Sequence, residues 1–242
     1  EPLVLPTKIP NLLVNGVLDG LTVGDPMLMN DLKTAVGNPA AGSAPVNLLE
    51  LRADDASGHG KHISWTSLAN TKSGGFTYYP KLPMAVTHAK MSYWVRFRGS
   101  GGNEFIYSKG GKLWGLGGCM SPLAKPPTGG SPSPYGWSSR TMWLGDSVGG
   151  DRVNNDHMIG YFYGPTQSAG SYGQNRKATV GGLGVTPVAF GGSGRRADGA
   201  LHLVQQEHKM NTVTTEGNSN PPADGIHKMW LDESLVYENT ST

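Results

Sequence analysis

Glycine and proline interrupt this sequence too often for long helices. The 242 residues include 36 glycines and 17 prolines, which in a helix interior cost about 1 and about 3 kcal/mol each relative to alanine. Between them lie short runs in which apolar and polar residues alternate, as in strands with one buried face. In the run 91–97 every odd position is apolar. The sequence therefore predicts an all-β protein, built from two curved antiparallel sheets.

Further runs of the same kind predict strands, and the segments between them are rich in Gly, Ser, Asn and Pro. These runs are 47–52, 159–163, 201–209 and 226–232. Only Asp25–Val36 predicts a helix, because Asp25-Pro26 is typical of a helix cap followed by a first-turn proline. No repeat and no linker divides the sequence, so a single domain over residues 1–242 is predicted.

The charge balance and the single cysteine exclude several classes of protein. A formal net charge of +2 is too small to attract nucleic acid, and no run of about 18 apolar residues predicts a membrane span. Cys119 alone cannot form an internal disulfide or a zinc cluster, although the seven histidines leave His-based metal sites open. We expect a monomer with no cofactor and no metal. The first residue is Glu1 rather than Met, which fits a processed and secreted protein.

Five side chains along the middle of the sequence have the chemistry to act on an anionic sugar. Lys112 lies in a Gly-rich run. Ser138 and Arg140 are two residues apart, as are Tyr161 and Tyr163, so each pair shares one face of an extended strand. Together these residues supply an amine, a guanidinium, a hydroxyl and two phenols. Such a set suits recognition of a carboxylate and abstraction of a proton beside it.

The order and spacing of these groups resemble polysaccharide lyase family 14, the alginate and glucuronan lyases, and the related family 20. The resemblance runs from about Lys90 to Asp232. It rests on the Gly-rich lysine run at 110–118, then Ser-x-Arg, Tyr-x-Tyr and a late Lys-Met-Trp-Leu-Asp segment. In one departure, Trp114 stands where these enzymes usually carry proline.

That resemblance implies a β-jelly roll sandwich whose concave sheet forms the substrate cleft. It also implies a lyase that cleaves a 4-linked polyuronate, alginate or glucuronan, by metal-independent β-elimination and leaves unsaturated uronate ends. Lys112 takes the place of the family's functional lysine. Ser138 and Arg140 match its Ser-x-Arg pair, and Tyr161 and Tyr163 match its paired tyrosines.

Elimination chemistry assigns roles to these groups. The C5 proton of a uronate becomes acidic only when the adjacent carboxylate is neutralised, and the planar fork of Arg140 matches a carboxylate with two contacts. A base must remove that proton, and an acid must protonate the leaving O4. Lys112, Tyr161 and Tyr163 are the candidates for both roles, and the sequence leaves the division between them open.

A second group of residues is predicted to bind substrate through hydroxyl, imidazole or indole groups. These are Ser138, Ser139, His157, Trp114 and Trp137. Ser139 is included because a bulge would exchange the faces of two adjacent serines. Trp143 alternates out of phase with Arg140, so it is expected to pack in the core.

The same residues also have ordinary structural explanations. Lys112 would be a solvated turn lysine, Arg140 would pair with a strand carboxylate, and the two tyrosines would be common strand aromatics. His202, Gln206 and His208 share one face of a predicted strand, which would line either the cleft or an outer polar surface.

Two other functions compete with a lyase. A non-catalytic carbohydrate-binding β-sandwich module would need aromatic platforms but no base and carboxylate neutraliser together. A retaining glycoside hydrolase needs two carboxylates about 5–5.5 Å apart, whereas Glu50 and Glu207 are isolated in the sequence. A lyase acting on an acidic polysaccharide is therefore the leading prediction.

Overall fold

The computed structural model describes the strands of the chain and several of the loops that join them. The described residues are 39–43, 49–52, 62–65, 77–80, 82, 85–99, 111–119, 122–123, 125–127, 129–143, 158–164, 167, 174–177, 198–212 and 224–240. Every regular element among them is a β-strand. No helix in this part of the chain is long and apolar enough to cross a bilayer. The helix predicted at Asp25–Val36 lies outside the described residues.

Two compact units are present. One comprises Val4–Ala85, and the other comprises Val86–Thr242 with the first three residues. In the first unit, two antiparallel pairs form, β1 with β4 and β2 with β3. Their bounds are β1 (Pro39–Ser43), β2 (Leu49–Arg52), β3 (His62–Trp65) and β4 (Thr77–Pro80). The single domain over residues 1–242 stays a prediction.

The second unit contains two four-stranded antiparallel sheets. Its strands are β5 (His88–Arg96), β6 (Gly111–Cys119), β7 (Gly136–Trp143), β8 (Met158–Tyr163), β9 (Gln174–Lys177), β10 (Leu201–Lys209), β11 (Ile226–Leu231) and β12 (Ser234–Asn239). We call the sheet of order β6-β7-β8-β9 the front sheet and the sheet of order β12-β11-β10-β5 the back sheet. All five runs predicted as strands are confirmed, with ends shifted by at most a few residues.

Apolar side chains from both sheets form the core of this unit. Trp143 and Met158 of the front sheet pack with Val204, Met229 and Leu231 of the back sheet, all buried. Burying side chains of this size contributes about 1.5–3 kcal/mol each. The Trp143 ring also meets Phe97 edge to face, with ring centroids 5.0 Å apart. The prediction that Trp143 packs in the core is confirmed.

Polar side chains occupy the same space between the sheets. The His208 and His227 rings stack with centroids 4.2 Å apart, and Gln206 beside them is buried. Burial lowers the pKa of His208 to about 3, so its imidazole is neutral at physiological pH. His202, Gln206 and His208 were expected to line the cleft or an outer surface, and both alternatives are wrong. Their strand turns this face inward, so these three side chains are buried.

His202 is held between two carboxylates at one end of the back sheet. Its Nδ1 lies 2.7 Å from an oxygen of Asp232, and its Nε2 lies 3.0 Å from an oxygen of Asp198. Asp232 occupies the tight turn between β11 and β12 with a φ of 48°, and its other oxygen accepts a hydrogen bond from Leu203 N. Burial alone would lower the pKa of His202, but hydrogen bonds and charge from both aspartates raise it above its usual value.

The raised pKa of His202 predicts how stability changes with pH. The imidazolium contributes stability that is complete below pH about 6.5 and is lost as the pH rises through the folded-state pKa. His202→Gln should therefore lower the free energy of unfolding by about 1 kcal/mol at pH 6, because the carboxylates are partly solvated. At pH 9 the difference from wild type should be smaller. Denaturant unfolding at both pH values measures it. His88→Gln, which removes a half-exposed histidine from the single carboxylate of Glu207, is the control. A difference that is the same at both pH values would contradict this account.

Candidate active site

The pairing of β7 with β8 brings the predicted tyrosines opposite the Ser-x-Arg pair. Ser138 lies opposite Tyr163, and Arg140 lies opposite Tyr161. Residues directly opposite in an antiparallel pair point to the same face of the sheet. This face of the front sheet, which carries Arg140 and the two tyrosines, is called the site face below. It is the face turned away from the core, because Trp143 alternates to the other side.

Lys112 reaches the site face through an irregularity in β6. The lysine lies opposite Met142, and Gly115 lies opposite Arg140, so the register shifts over the two residues between them. A bulge of this kind redirects side chains beside it. The result here is that Lys112 Nζ lies 4.8 Å from the centroid of the Tyr161 ring, a distance at which the ring face attracts a cation.

Gly115 is required where β6 passes Arg140. A Cβ at this position would lie 1.9 Å from the Ser139 carbonyl oxygen and 2.6 Å from Arg140 Cα, so any other residue would force the two strands apart. The Gly-rich run that singled out Lys112 in the sequence therefore serves strand packing next to the site.

Arg140 is oriented by Ser138 and by the loop that precedes β7. Its Nη2 donates to Ser138 Oγ at 3.0 Å and to the Pro127 carbonyl at 3.2 Å. Ser138 Oγ donates in turn to the same carbonyl at 2.7 Å. Both contacts of the guanidinium use Nη2, which leaves Nε and Nη1 without a partner among the described residues. Both nitrogens carry N–H groups that can donate charge-assisted hydrogen bonds to a carboxylate.

The two tyrosines differ in their surroundings although they share a face. Their rings meet edge to face with centroids 5.4 Å apart, and their hydroxyl oxygens lie 3.4 Å apart. Tyr163 is fully buried, and its hydroxyl accepts a hydrogen bond from Gly130 N at 2.9 Å. Tyr161 retains a small exposed surface and lies against Lys112. The Lys112 amine thus contacts the ring of Tyr161, the less buried of the two tyrosines.

The surroundings of Lys112 make its ammonium easier to deprotonate. Burial against the sheet lowers the pKa of Lys112, the positive charge of Arg140 lowers it further, and Tyr163 acts in the opposite direction. The net effect is a pKa below the usual value of a lysine. A lysine with a lowered pKa is a suitable general base.

Two of the predicted substrate-binding residues, Ser139 and Trp137, lie on the other face of the front sheet. Ser139 is fully buried on the opposite face, with its Oγ 3.3 Å from His227 Nε2, so it cannot contact a substrate on the site face and that prediction is corrected. Trp137 shares its face and lies with its ring centroid 5.1 Å from that of His208. Trp114 lies within the β6 bulge, and His157 lies outside the described residues.

Three groups at the site were missed in the sequence. Met142 is buried on the site face between Lys112 and the tyrosines, and its position two residues after Arg140 was the available signal. The other two are the Pro127 carbonyl and the Gly130 amide. Backbone groups of a loop carry no residue-type signal, so only the folded chain shows them. Among the described residues, no three His, Cys, Asp or Glu side chains come together as metal ligands.

Comparison with known proteins decides the family. The model of the family Polysaccharide lyase 14 matches residues 61–241, most of the chain. The chain belongs to polysaccharide lyase family 14. The family predicted from the motifs is thereby confirmed, and with it the placement of this chain among the polysaccharide lyases. No relative was found among curated proteins.

Solved structures of alginate lyases are similar to this family 14 chain in fold. The marine PL-14 alginate lyase from Aplysia kurodai gives a TM-score of 0.59 at 17% identity, over 90% of this chain and 80% of that one. A double mutant of alginate lyase Aly36B in complex with alginate trisaccharide gives a TM-score of 0.57 at 18% identity, over 95% of this chain and 79% of that one. For alginate lyase vAL-1 from Chlorella virus the TM-score is 0.46 and the sequence identity is 18%. The match covers 69% of this chain and 59% of the vAL-1 chain. The predicted jelly roll is confirmed.

The buried hydroxyl of Tyr163 predicts a difference between the two tyrosines in stability. Tyr163→Phe removes the acceptor of the Gly130 amide and should lower the free energy of unfolding by about 1–2 kcal/mol. Tyr161→Phe, the matched control, removes the longer contact between the two hydroxyls and leaves the Gly130 hydrogen bond in place, so it should cost less than half as much. Denaturant unfolding of the two variants measures this. Equal losses would show that the Gly130 hydrogen bond contributes nothing measurable.

Proposed function

We propose that this protein cleaves a 4-linked polyuronate by β-elimination and that alginate is its substrate. The observation that carries the proposal is the placement of Lys112, Arg140 and Tyr161 on one face of the front sheet, with the lysine against the tyrosine ring. Family membership supports a lyase, and the names of the structurally similar proteins support alginate. Glucuronan is the second substrate to test, because the sequence motifs are shared with glucuronan lyases.

Arg140 is proposed to neutralise the uronate carboxylate. Two of its nitrogens have no partner among the described residues, while Nη2 is fixed by Ser138 and Pro127. Removing the C5 proton increases the negative charge on that carboxylate. A fixed guanidinium therefore stabilises the transition state more strongly than it stabilises the bound substrate before the reaction. In this role Ser138 orients Arg140, since its hydroxyl already contacts both partners.

Lys112 and Tyr161 are proposed to transfer the two protons. The neutral Lys112 amine takes the proton from C5, the electrons of that C–H bond form the C4–C5 double bond, and the C4–O4 bond breaks. Tyr161 then donates its phenolic proton to the leaving O4. Each step is assigned to a side chain of this protein, so the proposed elimination is metal-independent. Tyr163 holds Tyr161 in place through its hydroxyl and is covered by the Gly130 segment.

We propose an acidic polysaccharide as the sole macromolecular partner of the site and a secreted location, because such polymers are too large to enter a cell intact. A non-catalytic carbohydrate-binding module is the competing function. It would bind the same sugars on the same sheet, but it has no use for a lysine with a lowered pKa beside a phenol.

A panel of polyuronates separates these functions. The protein is incubated with mannuronate-rich alginate, guluronate-rich alginate and glucuronan, while absorbance in the unsaturated-uronate band is followed. We expect absorbance to rise with at least one alginate, and to rise equally after exhaustive treatment with EDTA. Binding without any unsaturated product would identify a binding module. Activity that is lost with EDTA and restored by one metal ion would overturn the metal-independent mechanism.

Substitutions on the site face test the assigned roles. Arg140→Ala should reduce turnover about 100-fold or more, the scale for losing a transition-state oxyanion donor. Arg140→Lys should restore only part of the turnover, since an ammonium cannot make the paired contact.

Lys112→Ala should lose most activity with little change in thermal stability, because the residue is exposed. Lys90→Ala, an exposed lysine of the back sheet, is the control that keeps activity. Undiminished product formation by both alanine variants would reject the assignment.

A further inference from the structure

The β6 bulge is held from the interior of the sandwich by the back sheet. Its outward position for Lys112 depends on the irregular backbone at Leu113 and Trp114. The Trp114 carbonyl accepts two hydrogen bonds at 3.3 Å, from Tyr93 of β5 and from Gln206 of β10. Both donors belong to the back sheet. The backbone next to Lys112 is therefore held in place by hydrogen bonds on the side opposite to the site face.

Both the nitrogen and the oxygen of the Gln206 amide are hydrogen-bonded. Besides the Trp114 carbonyl, its Nε2 donates to Thr141 Oγ1 at 2.5 Å, and its Oε1 lies 3.3 Å from His208 Nε2. His208 is neutral because burial lowers its pKa to about 3, so the Nε2–H tautomer donates to Oε1. An amide offers two N–H donors and an oxygen acceptor. This contact set therefore fixes its orientation, with Nε2 towards the bulge.

Tyr93 supplies the second contact and stays protonated. Burial raises the pKa of Tyr93 well above its usual range, which keeps the phenol an O–H donor to the Trp114 carbonyl at any working pH. Loss of either donor removes a hydrogen bond from a carbonyl that points into the sandwich, at a cost of about 0.5–1.5 kcal/mol. The two-residue irregularity would then repack, and the residue before it would move.

We propose that Gln206 and Tyr93 are positioning residues, which hold the β6 bulge so that the Lys112 amine stays next to the Tyr161 ring. Their catalytic importance rests on the proposed function. Neither side chain reaches the site face, since both lie between the sheets. A displacement of about 1 Å in a reacting group can reduce turnover by about 100-fold. Hydrogen bonds between the sheets that set the position of Lys112 are therefore sufficient to change the rate of proton removal.

The first test measures the pKa of Lys112 itself and needs no substrate. Lysines are labelled by reductive ¹³C-methylation and titrated by NMR, and the Lys112 signal is identified by its loss in Lys112→Ala. We expect a pKa below that of the other lysines in wild type. In Gln206→Met, which is similar in volume but has no donor, the pKa should rise towards the ordinary lysine value, because the ammonium moves towards solvent and away from Arg140. The titratable groups that the structure describes around Lys112, and that bear on its pKa, are Arg140, Tyr161 and Tyr163.

The second test follows turnover on the substrate found in the polyuronate panel. Gln206→Met should lower kcat about 10- to 100-fold with KM near the wild-type value, and the acid limb of the pH profile should move to higher pH. Tyr93→Phe, which keeps the ring and its packing, should show the same changes to a smaller degree. Gln205→Met is the matched control. Gln205 is the adjacent buried glutamine, it faces the other side of β10, and its amide has no partner among the described residues.

The outcomes distinguish this inference from the proposed function. A higher Lys112 pKa in Gln206→Met and Tyr93→Phe, with no change in Gln205→Met, supports the positioning role even if no unsaturated product forms, in which case the proposed function fails alone. A Lys112 pKa and a pH profile identical to wild type in both folded variants overturn the inference. In that case product formation by wild type still upholds the lyase. Equal shifts in all three variants also overturn it, because they indicate a general loosening of the back sheet.

Discussion

Strand β7 is paired along its length with β6 and with β8, and the rest of the site depends on this central position. Its side chains alternate between two environments. Ser138, Arg140 and Met142 face outward and meet groups from both neighbouring strands, whereas Ser139 and Thr141 face the back sheet. A slip of one residue in either pairing would exchange these two sets. The paired backbone hydrogen bonds thus decide which side chains are available for chemistry.

The interior of the sandwich does more than bury apolar surface. Trp143 supplies packing at one end of β7, while Thr141 and Ser139 contact Gln206 and His227 further along the strand. Buried polar groups cost free energy unless they are hydrogen-bonded, so these contacts are satisfied only in one alignment of the two sheets. Polar pairing across the core therefore adds to the specificity of register that the pattern of buried apolar side chains already gives.

The site face brings two cations together. Lys112 and Arg140 act on each other electrostatically, and together with burial this lowers the lysine's pKa. When both groups are charged, their repulsion raises the free energy of the protein without a bound anion. Binding of an acidic sugar lowers it, since the sugar's carboxylate relieves the repulsion. The same repulsion increases the fraction of Lys112 that is unprotonated and able to accept a proton. Recognition of the substrate's charge and preparation of the proton acceptor thus have one physical origin.

The sequence by itself determined the strands, the family, and the face shared within each strand by Ser138 with Arg140 and by Tyr161 with Tyr163, because alternation with a period of two is a local property of the backbone. Only the tertiary structure decided that Ser139 faces the interior, that the Pro127 carbonyl orients Arg140, and that Gln206 lies behind Lys112. These contacts join residues far apart in the sequence, and they depend on strand register and on backbone atoms. Neither register nor the direction of a carbonyl is encoded in the type of any single residue.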